Sequence, residues 1–256
     1  MPFSIIQGSS SGIGLALVKH VLTQTDHRVV ALSRRPGRVL EQVQASPALL
    51  SSWQERQCQA VEVDITTEAS IVAAAERVRQ SLTPEDQLYA LINVSGILHV
   101  EKSLQQVEYA TALQTFQVNT LGPLFIYKHF LPLLSKRRPP QLPPARFISL
   151  SARTGSIEDN KSGGWYSYRS SKAATNQVIR TLSHEINYRH LPAIAAAIHP
   201  GTVKTQLSEG LTNHLASSHR VFTPEEASHY LWRVMENLGA DAHGAFLDWQ
   251  GKPIPW

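Results

Sequence analysis

Six short apolar runs recur along this chain, Phe3 to Gln7, Val29 to Leu32, Ala60 to Val63, Tyr89 to Val94, Phe147 to Leu150 and Ile194 to Ile198. Runs this short and this continuously apolar suit strands buried on both faces. Between them, near 40–56, 67–82, 104–134 and 166–190, apolar residues repeat with the spacing of a helix. Parallel strands joined through helices cross over right-handedly, so the pattern predicts an α/β fold: a doubly wound parallel sheet with helices on both faces. Pro139, Pro140, Pro143 and Pro144 precede the fifth run, which the sheet begun at residue 3 still needs. They read as a surface loop inside one domain spanning residues 1–256 rather than as a linker.

Composition removes several function classes. The longest apolar stretch, Leu191 to Ile198, is broken by Pro192 and falls far short of the roughly 20 residues a membrane span requires. The N-terminus has no basic region followed by an apolar run and a small-residue cleavage site, so a cytoplasmic protein is expected. Cys58 is the single cysteine, which excludes an intrachain disulfide. Eleven histidines show no metal-binding spacing, and no metal is expected. The net charge of +4 favours anionic partners, with Arg34, Arg35 and Arg38 in one basic cluster and Lys136, Arg137 and Arg138 in another. Neither cluster is interleaved with aromatic residues or accompanied by a nucleic-acid signature, so a small phosphorylated ligand fits better than nucleic acid.

Three local patterns carry chemistry. Gly8, Gly12 and Gly14 lie between the first strand and a helix marked by Leu15, Leu17, Val18, Val21 and Leu22. Glycines there permit a tight turn and let a pyrophosphate sit against free N–H groups at the helix N-terminus. The second strand ends at Ser33, Arg34 and Arg35, where an NAD-binding unit offers an acid to the ribose 2′-hydroxyl. Two arginines can instead neutralise a 2′-phosphate, which favours NADP(H). Tyr168 and Lys172, four residues apart, share one face of a helix, and an ammonium beside a phenol is expected to lower its pKa toward a working range. Tyr166 points roughly a third of a turn away from Lys172 and is expected to line a pocket. Trp165 is a candidate pocket wall, and His99, after the fourth strand, is a candidate substrate contact.

Taken in order, Gly8-x-x-x-Gly12-x-Gly14, Asp64, Asn93-Val94-Ser95-Gly96, Asn119, a serine before Gly155, Tyr168-x-x-x-Lys172 and Pro200-Gly201 resemble the short-chain dehydrogenases/reductases over essentially the whole chain. The stretches 163–169, 199–205 and 248–256 are similar to the C-factor and sniffer-type carbonyl reductase subgroup. The resemblance implies a Rossmann fold and an NADPH-dependent reductase acting on the carbonyl of a small molecule. By it Tyr168 is the acid/base, Lys172 lowers its pKa and holds the nicotinamide ribose, Asn119 anchors a proton-relaying water, and Ser151 polarises the carbonyl. It also implies cofactor contacts from Gly8, Ser10, Ser11, Gly12, Ile13, Gly14, Ser33, Arg34, Arg35, Asp64, Ile65, Asn93, Gly96, Tyr168, Lys172, Pro200, Gly201, Val203 and Thr205. A segment at about 203–222, with Leu207, Leu211, His214, Leu215 and Phe222, covers the pocket in relatives, and its apolar character suggests a hydrophobic or aromatic substrate. Relatives pair the long helices as homodimers or homotetramers, although the sniffer-like branch includes monomers.

The chain departs from the family pattern in three places. Gln7 stands where a threonine usually precedes the glycines, Val94 and Ser95 replace Asn and Ala, and Ala152 occupies the position of the second of two serines. Either Ser151, one residue earlier, still reaches the carbonyl, or the serine role is weakened. Ser149, inside the strand, reads as structural. Because fold does not fix function, an NADP-binding signalling or regulatory protein with little turnover stands as the alternative.

Overall fold

All six apolar runs form strands: β1 (Pro2–Gln7), β2 (Arg28–Ser33), β3 (Cys58–Glu62), β4 (Gln87–Asn93), β5 (Ala145–Leu150) and β6 (Ala193–His199). The computed structural model describes residues 1–46, 49, 58–134, 138–139, 141–209 and 220–256. Two short strands, β7 (Thr202–Val203) and β8 (Val221–Phe222), pair as a separate ribbon, and β9 (Ala245–Asp248) completes the main sheet. That sheet has the order β3-β2-β1-β4-β5-β6-β9, and every pairing in it is parallel.

Strand residues alternate between two cores, as the period of two demands. Phe3, Ile5, Leu91, Phe147, Ala195 and Phe246 face one core, and Ile6, Ile92, Ile148, Ile198 and Leu247 face the other. The first is covered by α3 (Glu68–Ser81), α5 (Gly122–Phe130) and α6 (Tyr166–Tyr188). The second is covered by α1 (Gly12–Gln24), α2 (Pro36–Gln44) and α7 (Pro224–Glu236). Phe3, Phe130 and Phe147 are fully buried. Truncating any of them to alanine should cost about 3–5 kcal/mol.

Two expectations change. The helix expected over 104–134 is broken into a 3-10 turn (Leu104–Gln106), α4 (Tyr109–Phe116), a widened turn over Gln117–Leu121, α5, and a second 3-10 turn (Leu131–Leu133). Pro123 and Pro132 account for the widened turn and the second 3-10 turn, since neither has an N–H to donate to the preceding turn. The helix expected to run to residue 56 ends at Gln44, while residues 47, 48 and 50–56 of that stretch lie outside the described residues, as do Lys136 and Arg137. Among the described residues, no helix is long and apolar enough to cross a membrane.

The strand order singles out one edge of the sheet for a candidate site. The chain builds outward from β1 to β3 and then returns to lay β4 on the other side of β1, with Ile6 beside Ile92 and Gln7 beside Asn93. A crevice opens at the carboxyl ends of strands where the winding reverses.

Candidate active site

The turn after β1 is pinned to β2. Gly8 N and Ser9 N donate to Leu32 O at 2.9 and 3.3 Å, and Ser9 Oγ donates to the same carbonyl at 3.0 Å. Gly8 sits at φ +85°, where a side chain would be strained, and a Cβ there would stand 2.6 Å from Ser95 Oγ. A Cβ on Gly14 would collide with the Gly8 carbonyl, so this glycine lets α1 pack directly on the turn. At the start of α1, Ser11 makes no side-chain cap bond and the first turn holds no acidic residue. α7 differs, because Thr223 and Glu226 cap each other's backbone N–H groups there. Among the described residues no side chain caps the N–H groups at the start of α1, an arrangement that suits an anion.

At the end of β2, Ser33 Oγ accepts from Arg35 N at 3.1 Å, and both Arg34 and Arg35 are exposed. Asp64 Oδ1 accepts from Thr66 N at 2.9 Å and from Thr66 Oγ1 at 2.7 Å. Those bonds, with the charge of Arg34, hold its carboxyl below the usual range. Ile65 is buried against Gly122 at the start of α5. The Asn93 amide turns inward beside Tyr127, whose hydroxyl bonds Ser149 Oγ at 2.8 Å. This pairing gives Ser149 its structural role.

On α6, Tyr168 and Lys172 are 7% and 4% exposed, and the Lys172 Nζ lies 5.9 Å from the centre of the Tyr168 ring. Lys172 Nζ also donates to Leu150 O, at the end of β5, at 2.9 Å. Burial pushes the Tyr168 phenol up to about 12 and the Lys172 ammonium down to about 8. Burial rather than the neighbouring ammonium governs the phenol, so its pKa is raised where the helical spacing predicts it lowered. The phenol keeps its proton at neutral pH.

Asn119 lies in the widened turn ahead of α5. Pro123, four residues later, has no N–H for the Asn119 carbonyl, which accepts from Thr175 Oγ1 on α6 at 2.8 Å instead. The Asn119 side chain clamps the loop after β4: Oδ1 accepts from Ile97 N at 2.8 Å and Nδ2 donates to Ile97 O at 2.9 Å. Nδ2 also donates to Ser171 Oγ on α6 at 3.0 Å. Because position 96 is glycine, space remains beside these groups; a Cβ there would stand 3.4 Å from Lys172 Nζ and 3.5 Å from Asn119 Oδ1.

Ser151 is turned elsewhere. Its hydroxyl donates to Asn176 Oδ1 at 2.6 Å, on α6 two turns beyond Tyr168. Trp165 meets Tyr168 edge to face, with ring centres 6.4 Å apart, whereas Tyr166 is 42% exposed. His99 Nε2 is buried and has no hydrogen-bond partner among the described residues. Pro200 and Gly201 lead into β7, where Val203 pairs with Phe222, and Thr205 packs over Gly12. Phe222, expected over the pocket, is 2% exposed and packs with Tyr230 and Trp249. Leu207 is 39% exposed, and Leu211, His214 and Leu215 lie outside the described residues.

Two contacts escaped the sequence reading. Gln7 and Ser95, each noted as a departure from a family motif, bond each other across β1 and β4. Glu101, a lone acid at the end of the loop after β4, is buried and accepts hydrogen bonds from the start of α6. No periodicity or motif marks it.

Residues 3–216 match the family model of the short chain dehydrogenases. The chain belongs to the short-chain dehydrogenase family. It is 31% identical to the C-signal protein of Myxococcus xanthus over 166 residues, 65% of this chain and 91% of that protein. The NADPH-bound carbonyl reductase from chicken fatty liver superimposes with a TM-score of 0.83 at 31% identity, over 99% of this chain and 98% of that one. The carbonyl reductase Sniffer of D. melanogaster superimposes with a TM-score of 0.84 at 26% identity, over 100% of both chains.

Proposed function

We propose that this protein is an NADPH-dependent carbonyl reductase acting on a ketone or aldehyde of a small, hydrophobic substrate. The observation that carries this reading is Tyr168 and Lys172, both buried one helical turn apart, with the proton held on the phenol. The residues suit the cofactor: the uncapped start of α1 fits a pyrophosphate, the space left by Gly96 beside Lys172 Nζ fits a ribose, and the exposed Arg34 and Arg35 fit a 2′-phosphate. The NADPH held by the 31% identical chicken enzyme supports the same assignment. In this reading Ser10, Ser11, Gly12, Ile13 and Gly14 line the pyrophosphate, and Asp64 flanks the adenine.

NADPH, when bound, supplies the hydride that goes to the carbonyl carbon. Tyr168 gives its O–H proton to the alkoxide oxygen that forms, and the Lys172 ammonium stabilises the phenolate left behind. Asn119 holds the loop after β4 against α6, beside Lys172, where the family resemblance implies a water through which Lys172 would regain a proton. Of the two alternatives for Ser151, its hydroxyl bond to Asn176 Oδ1 supports a weakened role in polarising the carbonyl, and we assign Ser151 to bracing β5 against α6.

The test is turnover of NADPH with a panel of aliphatic and aromatic ketones and aldehydes, with the alcohol product identified. Tyr168→Phe is expected to abolish reduction while leaving the NADPH Kd within a fewfold, because the lost hydroxyl acts in the transition state. Tyr166→Phe is expected to keep most of the rate, and Ser151→Ala to lose less than about tenfold in kcat. A wild-type protein that binds NADPH and reduces no carbonyl on the panel would favour the regulatory alternative.

A further inference from the structure

We infer that Glu101 is a positioning residue for Tyr168: it caps the catalytic helix from across the chain and so fixes where the proton donor stands. The inference rests on the assignment of Tyr168 proposed above. α6 begins with no cap of its own. Its N-cap position is Trp165, in left-handed backbone at φ 50° and ψ 46°, and its first turn contains no acidic residue. A helix start left this way has orphan N–H groups that need an acceptor.

Glu101 supplies acceptors for two of these N–H groups and for the Ser167 hydroxyl. Its Oε2 accepts from Ser167 N at 2.8 Å, its Oε1 from Ser167 Oγ at 2.6 Å, and its backbone carbonyl from Trp165 N at 2.6 Å. Glu101 is 2% exposed and Ser167 5%, so no bulk water can replace these bonds. Gly164, at φ +67°, lets the chain pass the Glu101 carbonyl closely; a Cβ there would stand 3.3 Å from that oxygen. Tyr168 is the next residue after Ser167, inside the capped turn.

The same loop is clamped at its other end, where Ile97 is bonded through both N and O to Asn119. Residues 97–101 therefore tie Asn119, beside Lys172, to the N-terminal turn that carries Tyr168. Lys172 has its own anchor at Leu150 O, one turn further along α6. Losing the Glu101 cap should let Tyr168 drift while leaving Lys172 and the glycine turn in place.

The test separates positioning from general stability by reporting kcat per NADPH-binding site. Glu101→Ala is expected to lower that kcat by about two decades, the scale of an ångström-level misplacement, with the NADPH Kd within about threefold. Glu101→Gln is expected to recover kcat to within about threefold of wild type, because its Oε1 can accept from Ser167 N while its Nε2 donates to Ser167 Oγ. Amide exchange over 166–172 should quicken in Glu101→Ala and remain slow over 8–15. Wild-type kcat per site in Glu101→Ala, or unchanged exchange over 166–172, would overturn the inference. Should Glu101→Ala not fold, Glu101→Asp, one methylene shorter, is expected to lower kcat where Glu101→Gln does not, and equal rates for the two would count against it. A wild-type protein with no carbonyl turnover defeats the assignment of Tyr168 alone, since the exchange measurement needs no activity.

Discussion

Gln7 and Ser95 close a two-point clasp between the ends of β1 and β4: Gln7 Nε2 donates to Ser95 Oγ at 2.7 Å, and Ser95 N donates to Gln7 Oε1 at 3.3 Å. Each residue alone is a departure from its motif, and together they are one substitution made in two places. The longer glutamine does across the strands what a short hydroxyl would do within the turn. Gln7→Ala and Ser95→Ala should each destabilise the protein, and the double variant should fall short of their sum by about 1 kcal/mol. A double-mutant cycle from urea unfolding measures the coupling, and strict additivity would mean the clasp is idle.

In the proposed site, cofactor affinity is expected to depend on pH through Lys172. Burial holds its ammonium down to about 8, whereas an anionic cofactor beside it would favour the charged form. Binding therefore takes up a proton above pH 8, and NADPH affinity is fullest below that value and declines as pH rises through it. Titrations at pH 7 and pH 9 should show the decline in wild type and a flatter profile in Lys172→Met. Parallel profiles would place the titrating group elsewhere.

In the proposed assignment, Arg34 and Arg35 set cofactor choice. NADPH should bind more tightly than NADH by one to two decades, corresponding to about 1.5–3 kcal/mol for a charge-assisted pair to phosphate. Arg34→Ala should narrow that gap chiefly by weakening NADPH. Equal dissociation constants for the two cofactors in the wild-type protein would remove the arginines from the assignment.

Acid stability should depend on His199. Burial, reinforced by the charge of Arg153, pushes its imidazole down to about 4, against an ordinary value of 6.5. The folded state holds it neutral while the unfolded chain takes up a proton, so the stability it contributes is complete above pH 6.5 and is lost as pH falls toward 4. The loss should reach about 3 kcal/mol. Burial also lowers His20 and His27, which add to the same acid limb. His199→Gln should flatten the fall in Tm between pH 6.5 and 4, and an unchanged slope would assign that limb to other groups.

What the sequence disclosed was local. The six apolar runs, the glycine turn after β1 and the Tyr168/Lys172 spacing are each written within a few residues, and each is found where its pattern places it. β9 is not legible in the sequence because four residues beside Gly244 carry too little period to read, although the Thr223-Pro224-x-Glu226 start of α7 is a legible capping signal. The break in the helix over 104–134 was signalled by Pro123 and Pro132 but outweighed by continuous apolar spacing. The Gln7–Ser95 and Glu101–Ser167 contacts join residues 88 and 66 positions apart, and only the sheet order brings them together. The reversed phenol pKa belongs to the same class, since burial is a property of the folded chain rather than of the helix that carries Tyr168.

The bare start of α1 gives the protein a reason to be sturdier full than empty. α7 is held at its first turn by its own threonine and glutamate and α6 by Glu101, whereas α1, like α2, α3 and α4, has no side-chain cap among the described residues. A pyrophosphate docking there would be the missing N-cap, so part of the helix's cohesion arrives with the ligand. The apo chain would then be the form most open to proteases at its first βα junction, and the cell's nucleotide pool would act as a folding cofactor as well as a reductant.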